Sequence, residues 1–207
     1  MKNLFFCSIL IVSAGCLNFY CSAQNVFPGS AYSVPIERKS ISGNFRGEGT
    51  IDTLKEVVIS KVNHQEINYT WNVDYDSLVA LTVLSKPVCY LKSGKLKSLA
   101  IKSGTWQLFG LSYLKNEGDL NNDGKEEIGV IVDWADWSNI NTYHLYTYSS
   151  KGWKEILNFE IRDTDIEEIK LSGESKGFIY KDLNGNLVAR TYEQGDQIEK
   201  KLILENQ

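Results

Sequence analysis

The chain has 207 residues and a formal charge of −4, with 26 acidic against 22 basic side chains. That balance excludes a basic nucleic-acid surface, and 43% hydrophobic residues over this length suffice for one domain with a buried core. Three of the four cysteines (Cys7, Cys16 and Cys21) fall near the start. Without that segment Cys89 stands alone, and no internal disulfide is available.

Residues 1–23 read as a secretory signal peptide. Lys2 is the positive start, residues 4–12 are apolar but too short to span a bilayer, and Cys21-Ser22-Ala23 offers small residues for cleavage before Gln24. The expected location is secreted, periplasmic or cell-envelope, with no transmembrane span after cleavage. Ser13-Ala14-Gly15-Cys16 resembles a bacterial lipobox, which makes a lipid anchor at Cys16 the alternative. Residues 24–207 are then expected to form a single β-rich domain.

Residues 25–39 carry Pro28 and Pro35 and read as an extended lead-in. The Gly-rich loop 43–52 follows. Beyond it the apolar period is two: 54–62 reads as a strand, and 67–73 alternates. Residues 78–84 are continuously apolar, as in a strand covered on both faces. A hairpin turn is expected near 91–96, then short strands at 99–101 and 106–111. Cys89 lies in an apolar run and reads as a small core residue. His64 falls in a turn; His144 sits in a strand as a structural histidine.

Residues 128–132 form an inner strand. Residues 142–148 are aromatic and β-branched, and Ser149-Ser150-Lys151-Gly152 turns them back into 153–161, giving an antiparallel meander. The stretch 163–170 fits one helical turn or a short strand. Asn184-Gly185 is a hairpin signal between 177–181 and 187–192. A last strand, 198–204, carries charges suited to an exposed edge.

Chemistry concentrates in Gly118-Asp119-Leu120-Asn121-Asn122-Asp123-Gly124-Lys125-Glu126-Glu127. Side-chain oxygens at Asp119, Asn121, Asp123 and Glu127 fall at loop positions 1, 3, 5 and 9, with the Lys125 carbonyl at position 7 and Gly124 at the sharp turn. This is the oxygen-only set a hard cation such as Ca2+ needs, about six to eight oxygens at about 2.3–2.6 Å. The alternative is a metal-free turn whose side chains cap their own backbone. The 43–52 loop repeats the frame with Asn44, Arg46, Glu48, Gly49 and Asp52, giving two loop–strand units, near 43–62 and 109–132. In the first, Arg46 repels a cation. Either its guanidinium lies among Glu48 and Asp52 in place of an ion, or it is solvated in an exposed turn.

Phe109-Gly110-Leu111-Ser112 with the 118–128 loop resembles a unit of the FG-GAP or VCBS repeat family, the calcium-binding blades of integrin-type propellers. The resemblance covers about one unit well and the Asn44 unit poorly. It implies Ca2+ held by Asp119, Asn121, Asp123, the Lys125 carbonyl and Glu127 between β-strands, in a small secreted bacterial member. The expected fold is all-β, antiparallel meanders resembling propeller blades. The family's Gly-Ala-Pro tail is absent, and Glu127 stands where Asp is usual.

The loop Asp133-Trp134-Ala135-Asp136-Trp137-Ser138-Asn139 is the second feature. Trp134 and Trp137 with neighbouring Asp and Asn suit stacking on a sugar; the alternative is that the rings pack on the sheet. No Ser-His-Asp spacing, His or Cys metal cluster or phosphate-cradling loop occurs. The expected function is therefore non-enzymatic: a structural or binding protein meeting a protein or glycan partner outside the cell. A glycan-binding module is the alternative, and a polymer hydrolase is the least favoured.

Overall fold

The computed structural model describes residues 33–71, 74–101, 108–172, 177–193 and 195–204. The expected leader, most of the expected lead-in and Trp106 lie outside the described residues. Strand β1 (Ser33–Pro35) pairs with β4 (Tyr69–Trp71) as a two-stranded ribbon. Strands β2 (Ser40–Gly43), β3 (Asp52–Ser60), β5 (Pro87–Lys92) and β6 (Leu99–Ile101) form a four-stranded sheet in that order. Strands β7 (Leu108–Gly118), β8 (Glu127–Trp134), β9 (Ile140–Ser149) and β10 (Gly152–Arg162) form the second sheet, also in chain order. Strands β11 (Ile179–Lys181), β12 (Leu187–Glu193) and β13 (Asp196–Lys201) form the third. Every strand pair among the described residues is antiparallel, so the fold is all-β and built of meanders. Among the described residues no strand pairing closes these sheets into a barrel.

The burial of β3 follows the period of two: Asp52, Leu54, Glu56, Val58 and Ser60 face inward, while Thr53 and Lys55 face out. Strand β8 is buried from Glu127 to Val132 because both its faces are covered. Ile128, Val130 and Val132 join Phe45, Leu54, Val58, Cys89 and Leu91 in one core cluster. Ile131 turns the other way, to Tyr143, Leu145, Ile161 and Phe178. The second sheet thus carries a core on each side. Each such apolar side chain contributes about 1.5–3 kcal/mol on burial.

Residues 78–84, expected as a strand, lie in helix α1 (Tyr75–Ser85). Continuous apolarity does not separate a buried strand from a helix, and the end signals decide. Asp74 caps the start, accepting from Ser77 N at 3.0 Å and Ser77 Oγ at 2.8 Å. Lys86 closes the end in the left-handed region, and Pro87 begins β5. The ambiguous stretch after β10 is helix α2 (Asp163–Ser172), with Asp163 and Asp165 in its first turn.

An ion pair ties the lead-in to both four-stranded sheets. Arg38 Nη1 donates to Glu56 Oε1 (3.1 Å) and to the Phe109 carbonyl (2.9 Å). Glu56 also accepts from Lys39 N and Leu111 N, both at 2.9 Å. Gly110 lies under this pair: a Cβ there would stand 2.3 Å from Glu56 Oε1 and 2.5 Å from Arg38 Nη1. The Phe-Gly pair of the sequence is therefore a close approach of backbone to a buried ion pair.

Candidate metal centre

The 119–126 loop joins β7 to β8, and Gly118 pairs with Glu127 where the two strands part. Its tight path needs positive φ at Gly118 (78°), Asn122 (59°) and Gly124 (84°). Side chains hold that path. Asp119 Oδ1 accepts from Asp123 N (3.1 Å) and Asp119 Oδ2 from Gly124 N (2.9 Å). Asn121 Oδ1 accepts from Asp123 N at 3.0 Å, and Asp123 Oδ1 from Lys125 N at 2.9 Å. The loop is thus self-bonded, in the pattern expected of a capped turn.

Two features go beyond a capped turn. Lys125 Nζ sits 2.9 Å from Asp123 Oδ2, an internal counter-ion on one of the acidic ligand positions. Burial alone raises Asp123, but the bonds from Lys125 outweigh it and hold the carboxyl below its ordinary range. Glu127 is fully buried; its Oε2 accepts from Leu120 N at 2.9 Å, and its Oε1 has no hydrogen-bond partner. Burial pushes the Glu127 carboxyl up to about 7, and Asp123 and Asp119 add to the rise while the Leu120 N–H opposes it. Thr147 Oγ1, also buried and unpartnered, lies close enough to favour the charged form without meeting the geometry of a hydrogen bond.

The donor set fits a hard cation: carboxylates, one amide oxygen and one carbonyl, with one buried oxygen, Glu127 Oε1, that accepts no hydrogen bond. Calcium, when bound, would be held by Asp119, Asn121, Asp123, the Lys125 carbonyl and Glu127. Among the described residues no three His, Cys, Asp or Glu side chains already converge as a metal-holding group. Glu127 is turned to Leu120 and Lys125 covers Asp123, so both must swing for an ion to enter.

The first loop joins β2 to β3 in the same frame, and its Gly43 pairs with Asp52. Arg46 Nε lies 2.9 Å from Asp52 Oδ2, and Nη1 lies 3.2 Å from Glu48 Oε2. The guanidinium therefore lies among the two acids at positions 5 and 9. The loops also touch. Glu126 Oε2 accepts from Asn44 N and from Asn116 Nδ2, both at 2.7 Å, and Glu126 N donates to the Asn44 carbonyl at 3.2 Å. A Cβ on Gly43 would meet Glu126 Oε2 at 2.4 Å, so that glycine admits the clamp.

Trp134 and Trp137 border the same groove but differ in exposure. Trp134 is half-buried and packs against the first core cluster. Trp137 is 77% exposed, its ring 4.5 Å from that of Tyr75 at 58°. His144 bonds Glu155 across β9 and β10 at 3.0 Å, His64 is exposed in a turn, and Cys89 is buried, its thiol pushed up to about 12 by desolvation. Tyr75, Asp163 and Glu167, which border the Trp137 loop, come from two helices, and no local motif joins them to it.

Compared with known proteins, the chain matches no family, no curated protein and no solved structure.

Proposed function

We propose that this is a non-enzymatic binding or structural protein of the cell exterior or envelope. One calcium loop of the FG-GAP or VCBS kind stiffens its central sheet. The observation that carries the reading is Glu127: a fully buried carboxyl group whose Oε1 accepts no hydrogen bond and has the Thr147 hydroxyl nearby, at the ninth position of a loop whose positions 1, 3 and 5 are Asp119, Asn121 and Asp123. A buried charge of that kind is costly unless neutralised. A divalent ion would neutralise it and tie β7 to β8. The apolar stretch 4–12 after Lys2, which reads as a secretory leader, supports that location, where calcium is abundant.

With a Kd on the order of 10^-4 M and about 1 mM free calcium, mass action stabilises the fold by roughly 1.4 kcal/mol. Thermal melting of the purified protein with calcium and then with chelator tests this, alongside Asp123→Ala. The melting temperature rises with calcium in the native protein and not in the variant. Identical melts in both conditions, with no calcium uptake by calorimetry, overturn the reading.

A further inference from the structure

The loop after β8 meets both helices, and a groove of about 450 Å3 opens between them. Trp137 stands at its rim. The ring is exposed yet braced: it leans on Tyr75, which meets Phe109 edge-on at 6.2 Å and 75°. The Tyr75 hydroxyl donates to the Asp136 carbonyl, which fixes the loop to α1. An exposed large aromatic ring held in place by other rings is a platform, whereas a ring merely left over from packing has no such support.

The rest of the groove is rich in acceptors. Asp136 Oδ1 takes Ser138 N at 2.9 Å, and Asp163 Oδ1 takes Asn141 Nδ2 at 3.2 Å. The second oxygen of each has no protein donor among the described residues, and the exposed Glu167 makes no hydrogen bond to them. Lys39 on the lining offsets only part of the charge of Asp133, Asp136, Asp163 and Glu167, so the groove carries a net negative field; burial raises the Tyr75 phenol above its ordinary range, and Asp136, Asp133 and Asp163 raise it further.

We propose that this groove is a saccharide-binding site, in which a sugar ring lays its C–H face on Trp137 and donates hydroxyl hydrogens to Asp136, Asp163 and Glu167. A flat aromatic face beside the carboxylates of Asp136, Asp163 and Glu167, with Lys39, Ser112 and Asn139 as donors on the same lining, fits a polyol, which brings one apolar face and O–H groups that both donate and accept. A bare ammonium fits less well, because the three rings form an open L and do not box in one point. The negative field selects neutral or amino sugars and repels uronates and sulfated chains. The larger cavity beside α1, about 670 Å3, selects nothing comparable: its wall is mainly apolar, and the Glu56 carboxylate at its floor is already met by three protein donors.

The proposal deepens the non-enzymatic binding reading and rests on it, but not on the calcium loop. The test is tryptophan-fluorescence and calorimetric titration of the full protein, in calcium buffer, with cellohexaose, mannohexaose, chitohexaose, its deacetylated form, an oligogalacturonate and spermidine. At least one neutral or amino saccharide binds saturably. Trp137→Ala weakens it at least tenfold, Glu167→Gln weakens it several-fold, and Leu183→Ala, an exposed control far along the chain, leaves it unchanged. All of these positions are exposed, so the variants fold. No saccharide binding above the Trp137→Ala level overturns the proposal, as does equal binding of the oligogalacturonate. Binding of spermidine alone makes the groove a cation site and also overturns it. A melt indifferent to chelator sinks the calcium reading and leaves a positive titration standing.

Discussion

Asp52 and Glu127 hold the same register position in the two loop-bearing hairpins: Asp52 faces Gly43 across β2–β3 as Glu127 faces Gly118 across β7–β8. Both carboxyl side chains are buried. They differ in what balances them. Asp52 receives the Arg46 guanidinium, and the Asp52 bond is the main cause that raises the arginine above its ordinary value. Glu127 receives one backbone N–H. The arginine reads as a built-in cation in the first loop. Arg46→Asn therefore lowers the melting temperature in chelator and regains it with calcium, and calorimetry registers a second equivalent of the ion. An unchanged melt with a single equivalent removes the equivalence of the two loops.

Gly110 gives a steric prediction. Its missing Cβ makes room for the Arg38–Glu56 pair, whose side chains are 12% and 2% exposed. Gly110→Ala forces that pair off its carbonyl and amide partners and destabilises the fold by about 3 kcal/mol. Urea unfolding measures it. Gly94→Ala, at a position with open space, costs far less. Equal costs at both positions mean that the close approach is not what fixes Gly110.

The sequence made the strands legible wherever the two faces differ in burial. Asp52–Ser60 alternates because its two faces are unequally covered, and Ile140–Ser149 because Tyr143 and Leu145 are sealed in one core while Tyr146 and Tyr148 only border the other; the loop ligands were visible because they sit within nine residues of one another. Helix α1 was not legible by period, because Leu78 to Leu84 is apolar but for Thr82; the Asp74–Ser77 cap was the available signal. The groove under Trp137 was only half visible. Its tryptophan and Asp136 are local, whereas Tyr75 arrives from 61 residues earlier and Glu167 from the far side of a two-strand hairpin. Such convergence is set by packing, and local pattern carries no trace of it. Trp134 and Trp137 look alike in sequence, yet the end of β8 points one inward and the loop carries the other out.

Lys125 competes with calcium for Asp123. Its side chain is 28% exposed, so the pair is screened and contributes about 0.5–1 kcal/mol in the ion-free loop. Lys125→Met removes that competitor while keeping the backbone carbonyl. Calcium affinity then rises by about two- to fivefold, and stability in chelator falls by the same free energy. Calorimetric titration reads the first and thermal melting the second. Weaker calcium binding in the variant means that the lysine assists the site and does not guard it.

Alkaline pH probes the core independently of any metal. Burial raises Tyr113 and Tyr143 well above the ordinary phenol range, with Glu117, which accepts from both hydroxyls at 3.0 and 2.9 Å, raising them further. Burial also raises Cys89 to about 12. In each case the folded value lies above the unfolded one, about 8.5 for the thiol and about 10 for the phenols. The native protein therefore keeps protons that the unfolded chain gives up. Stability from these groups is complete below the unfolded values and declines as pH rises towards the folded ones, by roughly 1.4 kcal/mol per pH unit for each group. Urea midpoints fall first as the thiol range is crossed and more steeply through the phenol range. Cys89→Ala flattens the first part and Tyr113→Phe the second. Tyrosinate absorbance from these rings appears together with unfolding. If the phenols of Tyr113 and Tyr143 ionise near their ordinary value while the fold stays intact, the second core cluster is open to water and its two faces are not sealed around β8.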